Sequence, residues 1–235
     1  MQQFKLFNKF VSAALCLLVF TANQTAHASI TIDTTGAWSG ATIAPFSNGL
    51  GTQTFGQVIT TPQFETSLES FTFFFNDRNV TPYLGPVNFG GYVMAWDGTK
   101  ATGPILFDSG LIVSTNNHGT GLTSGQDRAA DYERFDFNTG GIRFSAGSQI
   151  VAFISTSNFY DGSLRQADVP WIPSGLHNES TPKAYPDGYA VWQNNGADFS
   201  SLTTQTWGAE PTADLMFTAS FSVTAVPEPE PFMLL

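Results

Sequence analysis

From Asp214 to Thr224 the chain alternates strictly. Leu215, Phe217, Ala219, Phe221 and Val223 take one parity, and Met216, Thr218, Ser220, Ser222 and Thr224 take the other. Successive side chains of a strand point to opposite faces, so this segment reads as a strand with one face in a core. The same period recurs. Leu68 to Asn76 groups Phe71, Phe73 and Phe75, and Gly90 to Trp96 groups Tyr92, Met94 and Trp96. Tyr132 to Phe137 sets Phe135 and Phe137 with Glu133, and Gln149 to Thr156 reads as a strand buried on both sides. Ile105 to Val113 is broken at Asp108-Ser109-Gly110. Shorter strands are expected over Ile30–Asp33, Thr54–Thr60, Ile142–Phe144 and Tyr189–Gln193. No window of ten residues carries a 3.6-residue period without a breaker. Glycine and proline, 22 and 13 of 235 residues, fall mostly between the strand segments. That punctuation selects an all-β fold, an antiparallel β-sandwich, jelly-roll-like, of eight to ten strands. Two stretches show little strand signal: the polar, Gly-rich 115–130, and 158–186 with its four prolines.

The N-terminus has a different grammar. Lys5 and Lys9 precede an apolar run from Val11 to Phe20, and Ala26-His27-Ala28 follows. This is the order of a secretory signal peptide with cleavage after Ala28. The run is too short for a permanent bilayer span, which needs about 20 apolar residues. The domain is therefore expected over 29–225, exported, with no stable membrane span. Cys16 is the chain's one cysteine and lies in the apolar run. The processed chain then has no disulfide, no thiolate nucleophile and no cysteine-ligated metal. Removing Lys5 and Lys9 with the signal leaves seven bases against 19 acids, a net charge of −12. Such a surface repels a phosphate backbone, which excludes nucleic acid as a partner.

The last strand is followed by Val226-Pro227-Glu228-Pro229, then Glu230, Pro231 and Phe232-Met233-Leu234-Leu235. This tail, 226–235, resembles the start of a PEP-CTERM sorting signal. Tyr92 to Pro104 (YVMAWDGTKATGP) and Phe135 to Gly141 (FDFNTGG) resemble stretches of PEP-CTERM proteins with β-sandwich bodies. The resemblance implies export by a Gram-negative bacterium, an extracellular or outer-surface location, and an exosortase-type processing protease as partner. The transmembrane helix and basic cluster that continue such tails are not in this sequence.

Outside the signal segment, histidine is confined to His118 and His177, on separate loops without H-x-H or H-E-x-x-H spacing. Neither a histidine zinc site nor a Ser-His-Asp triad has its parts. Asp127, Asp131, Glu133 and Asp136 are the densest acids, interleaved with Arg128 and Arg134. They read first as a salt-bridged strand entry. With backbone carbonyls they would suit a structural Ca2+, although no cofactor is required, and as a pair they would suit acid catalysis. Tyr160, Trp171, Tyr185, Tyr189, Trp192 and Trp207 lie in one region of the chain beside Gln193, Asn194 and Asn195. Aromatic rings with amides are what sugar faces dock on; the competing role of the same rings is to fill the core.

Three functions follow from these residues. One is a non-catalytic exported protein of the surface or exopolysaccharide matrix. The second is a carbohydrate-binding module that uses the 160–207 aromatics, with Trp171 and Tyr185 exposed near Trp192 or Trp207. The third is a secreted polysaccharide-active enzyme, which needs two carboxylates converging in a cleft.

Overall fold

Strands with one apolar face require a second sheet to cover them, and the computed structural model supplies it. It describes residues 28–38, 40–64, 66–77, 85–115, 132–173 and 183–223. Among these residues are fourteen strands. The first seven are β1 (Ser29–Asp33), β2 (Thr42–Ser47), β3 (Thr54–Thr60), β4 (Thr66–Asp77), β5 (Asn88–Trp96), β6 (Ala101–Asp108) and β7 (Ile112–Val113). The others are β8 (Glu133–Phe144), β9 (Gln149–Ser155), β10 (Gln166–Pro173), β11 (Gly188–Gln193), β12 (Gly208–Glu210), β13 (Ala213–Leu215) and β14 (Phe217–Val223).

They form two antiparallel sheets. One runs β1-β14-β4-β10-β13, with β8 along β4 and β2 along β10. The other runs β12-β11-β3-β9-β5-β6, with β7 along β5. Eight strands give the interlocked orders β1-β14-β4-β8 and β3-β9-β5-β6. Those are two Greek keys folded into a jelly roll. This frame has the strand number read from the sequence, and six further strands exceed it. Of those, β7, β12 and β13 are two or three residues long, too short to show alternation. The expectation that 158–186 lacks strand is corrected by β10. Proline discourages a strand reading because it has no N–H to donate. Pro170 contributes its carbonyl instead, which accepts the Met216 N–H at 3.0 Å.

Phe71, Phe73 and Phe75 of β4, Phe217 and Phe221 of β14, and Phe135 and Phe137 of β8 face Phe55 and Ile59 of β3 and Ile150 and Ile154 of β9. Phe71 stacks on Phe137 at 4.7 Å and Phe75 on Phe135 at 4.2 Å. Gly91 of β5 lets the sheets close at this point, since a Cβ there would lie 2.2 Å from the Phe137 ring. The second sheet is also apolar on its outer face. Val58, Tyr92, Met94, Trp96, Val151 and Phe153 are covered by the segment 194–207, which holds the one-turn helix Ser201–Thr204. At one edge β12 and β13 are joined by Pro211-Thr212 yet belong to different sheets, so the chain crosses the sandwich there. Among the described residues no helix is long and apolar enough to cross a membrane.

Candidate binding surface and a buried polar cluster

The six candidate aromatics do not form one surface. Trp207 is buried, with its ring edge-on to Trp96 and to Phe153, each at 5.5 Å. Its Nε1 donates to the Leu202 carbonyl at 2.8 Å. Tyr189 lies half-buried in the same layer and accepts the Trp96 Nε1–H at 3.0 Å. Tyr185 is buried in the main core, edge-on to Phe217 at 5.9 Å. Its hydroxyl donates to the Thr60 carbonyl at 3.0 Å, and burial pushes its pKa up. Trp171 and Trp192 are half-buried against the main core. The expected exposure of Tyr185, and of a platform reaching Trp207, is therefore corrected. The 194–207 cover buries Trp207, and polar partners inside the sandwich make room for Tyr185. Trp96 and Tyr92, read from the sequence as one strand face, prove to be partners of Tyr189, Trp207 and Phe199.

Tyr160 stands apart and is 39% exposed. It follows the 3-10 turn Ser157–Phe159 on the connection from β9 to β10. This loop is locked to the β2–β3 loop through Asn48, whose carbonyl accepts the N–H groups of Asp161 and Gly162, both at 3.2 Å. The Asn48 amide is buried and also satisfied: Nδ2 donates to the carbonyls of Asn88 (2.7 Å) and Phe159 (3.1 Å), and Oδ1 accepts the Asn88 N–H. Two rigidly joined loops thus carry three exposed apolar side chains, Leu50, Tyr160 and Leu164. Beside them Asp161 pairs with Arg165. Desolvation opposes ionisation of Asp161, but hydrogen bonds from Ser163 and the Arg165 charge outweigh it and hold the carboxyl below its usual range. Exposed apolar side chains on hydrogen-bonded loops make this loop pair the candidate contact surface.

Many of the described acids have structural occupations. Asp33, Asp97, Asp108, Asp161 and Asp198 each accept a backbone N–H two residues ahead, the Asx-turn arrangement. Glu133 and Asp136 lie on opposite faces of β8, as their spacing predicts. Glu133 accepts the Thr115 N–H at 2.9 Å, while Asp136 pairs with Arg134 at 2.8 Å and accepts the Thr72 hydroxyl. These two carboxylates do not converge on one ion. Asp127 and Asp131 lie outside the described residues, as do His118, His177, the tail positions Val226, Pro227, Glu228 and Pro229, and Ala26 of the cleavage site. Ala28 is described, and its carbonyl accepts the Val223 N–H at 2.9 Å.

One acid lies deep in the sandwich. Asp214 of β13 is fully buried. Gln57 of β3, in the facing sheet, donates to its Oδ1 at 2.9 Å, and the Tyr185 N–H donates to its Oδ2 at 2.8 Å. Gln57 Oε1 accepts the Leu215 N–H at 2.9 Å, so a single amide bridges the sheets. Lys183 Nζ lies 3.9 Å from Asp214 Oδ1, donates to the Gly188 carbonyl, and sits 5.6 Å from the Tyr189 ring centre. Burial pushes Asp214 up, against the bonds from Tyr185 and Gln57 and the Lys183 charge. Burial likewise pushes Lys183 down, against the charges of Asp214 and Asp187. The sequence held no signal for this cluster, because Gln57 and Asp214 are 157 residues apart.

No family model and no curated protein matches the chain. Among solved structures it is similar to the cysteine protease and lectin-like domains of Cwp84, a surface-layer-associated protein of Clostridium difficile. That similarity has 8% identity and a TM-score of 0.42, and covers 74% of this chain and 32% of the other. It is also similar to a variant of the clostridial cysteine protease Cwp84 after propeptide cleavage. There the identity is 11% and the TM-score 0.46, over 83% of this chain and 40% of the other. The chain thus spans well under half the length of either.

Proposed function

We propose that this chain is an exported, non-catalytic module of the bacterial surface or exopolysaccharide matrix, and that it contacts neutral polysaccharide through the Tyr160 loop end. The observation that carries the non-catalytic part is the use of the carboxylates. Among the described residues, Asp97, Asp161 and Asp198 cap turns, Asp136 pairs with arginine, Asp214 sits inside the sandwich, and Glu133 and Asp136 point apart. Glycoside hydrolysis would need two carboxyl groups facing one bond from about 5–10 Å apart. Support for export comes from the signal-like N-terminus and from the tail that resembles a PEP-CTERM signal. A surface of net charge −12 repels acidic polymers, which favours a neutral glycan. A tyrosine ring offers a sugar its apolar face, and the Asp161–Arg165 pair offers hydroxyls an acceptor and a donor.

The test is retention of the exported protein on insoluble neutral and acidic polysaccharides, with release of reducing ends followed in the same tubes. Retention on a neutral glycan without release is expected, at the micromolar to millimolar affinities of small sugar sites, about 4–8 kcal/mol. Tyr160→Ala should abolish it, and binding should stay flat from about pH 6 to 8, since no histidine among the described residues faces the site. Reducing ends released with a bell-shaped pH profile would establish the enzyme instead. Failure to be retained on any glycan would remove the polysaccharide from this reading.

A further inference from the structure

We propose that Lys183 and Asp214 join as an intramolecular isopeptide, a covalent link between the segment entering β11 and strand β13. The pair has the geometry for it. Nζ lies 3.9 Å from Oδ1 of a carboxyl group with no access to solvent. The Gly188 carbonyl and the Tyr189 ring hold the amine in place. The carboxyl group in turn is held by two donors, Gln57 Nε2 at 2.9 Å and the Tyr185 N–H at 2.8 Å, one on each oxygen. Donors placed this way stabilise the negative oxygen that forms when a nucleophile adds to the carbonyl carbon.

Burial acts on both partners in the direction the reaction needs. It favours the neutral carboxylic acid on Asp214 and the neutral amine on Lys183, the two species that can condense. The proton an ammonium must first shed has a route out, because Lys183 is only half-buried and Asp187 near it is exposed. The Nζ lone pair then adds to Cγ of Asp214 and a C–N bond forms. One Cγ–O bond breaks, and the departing hydroxyl takes a proton from Nζ and leaves as water. Nothing is oxidised or reduced, and no co-reactant is consumed. The product exchanges one buried and one half-buried ionisable group for one neutral amide, which removes the cost of keeping charge inside the sandwich. A cross-link also restricts the unfolded chain. A chain whose single cysteine lies in its signal-like segment has no disulfide with which to do the same.

Intact-mass measurement of the denatured wild-type protein decides the matter without any variant having to fold. The expected mass is one water below that of the sequence, with fragmentation locating a branched peptide that joins Lys183 to Asp214. Lys183→Arg keeps the cation but has no primary amine, and it should show the full mass. Asp214→Asn should still close, losing ammonia in place of water. A wild-type protein at full mass, when fresh and after long incubation, overturns the proposal. So does a water loss that persists in Lys183→Arg and is cleaved by hydroxylamine, since that is a succinimide within the chain at Asp214.

Discussion

Phe217 is almost fully buried, while Thr218 beside it lies on the other face of β14. The two residues share a backbone and differ in what their side chains meet. Phe217 touches the Tyr185 ring and pairs across the ladder with Phe73, whereas Thr218 pairs with Asp33 and Thr72. Phe217→Ala should therefore cost about 3–5 kcal/mol, the range for deleting a buried aromatic ring. Thr218→Ala should stay within about 0.5 kcal/mol of wild type. Urea titration of both variants checks the register, because a slip of one residue would exchange the two results.

At the scale of the element, the β5–β6 hairpin shows how one side chain shapes a turn. Asp97 Oδ1 accepts the N–H groups of Thr99 at 2.8 Å and Lys100 at 2.9 Å, and Oδ2 accepts from Lys100 Nζ at 2.8 Å. Gly98 supplies the positive φ, 100°, that a side chain would resist. The Lys100 ammonium, followed by the backbone donors of Thr99 and Lys100, holds the Asp97 carboxyl well below the usual carboxylate range. A carboxyl group with a folded pKa below its unfolded one stabilises the fold above the unfolded pKa. It loses that contribution as pH falls toward the folded value. Asp97→Asn should thus unfold at lower urea than wild type at neutral pH. The gap should narrow as pH drops below about 4, the ordinary aspartate range. A gap that stays constant with pH would show that the turn draws no stability from the charge.

For the whole molecule, a decisive contact is one that ties the two sheets together. Gln57 alone satisfies a donor and an acceptor of β13 from the opposite sheet. Gln57→Ala would strand the Leu215 N–H in the interior and take a donor from Asp214. Each unsatisfied buried group costs about 1–3 kcal/mol. The variant should show a lowered urea midpoint with the slope of the transition unchanged, since both sheets still unfold together. A midpoint equal to wild type would mean that water replaces the amide.

The strands of the jelly-roll frame were legible because alternation is local. A period of two residues reports which side chains share a face whatever the rest of the chain does. Phe71, Phe73 and Phe75 share the core face of β4, Tyr92, Met94 and Trp96 share the outer face of β5, and β3 spans the Thr54–Thr60 read from sequence. Which face would be covered, and by what, was not local information. Both faces of the second sheet are apolar, and only the folding of 194–207 over it made Trp207 a core residue rather than a binding ring. Tyr185 lay in a proline-rich stretch without periodicity, and Asp214 and Thr60 drew it inside by satisfying its N–H and hydroxyl. Strand β10 carries prolines that mask its period, and Pro170 takes part in the sheet through its carbonyl, which accepts the Met216 N–H. Composition and spacing determined the sheet class and the placement of the single cysteine outside the sandwich segment. The Lys183–Asp214 pair and the Tyr160 loop end were decided by tertiary structure alone, since each joins segments that meet only once the sandwich has closed.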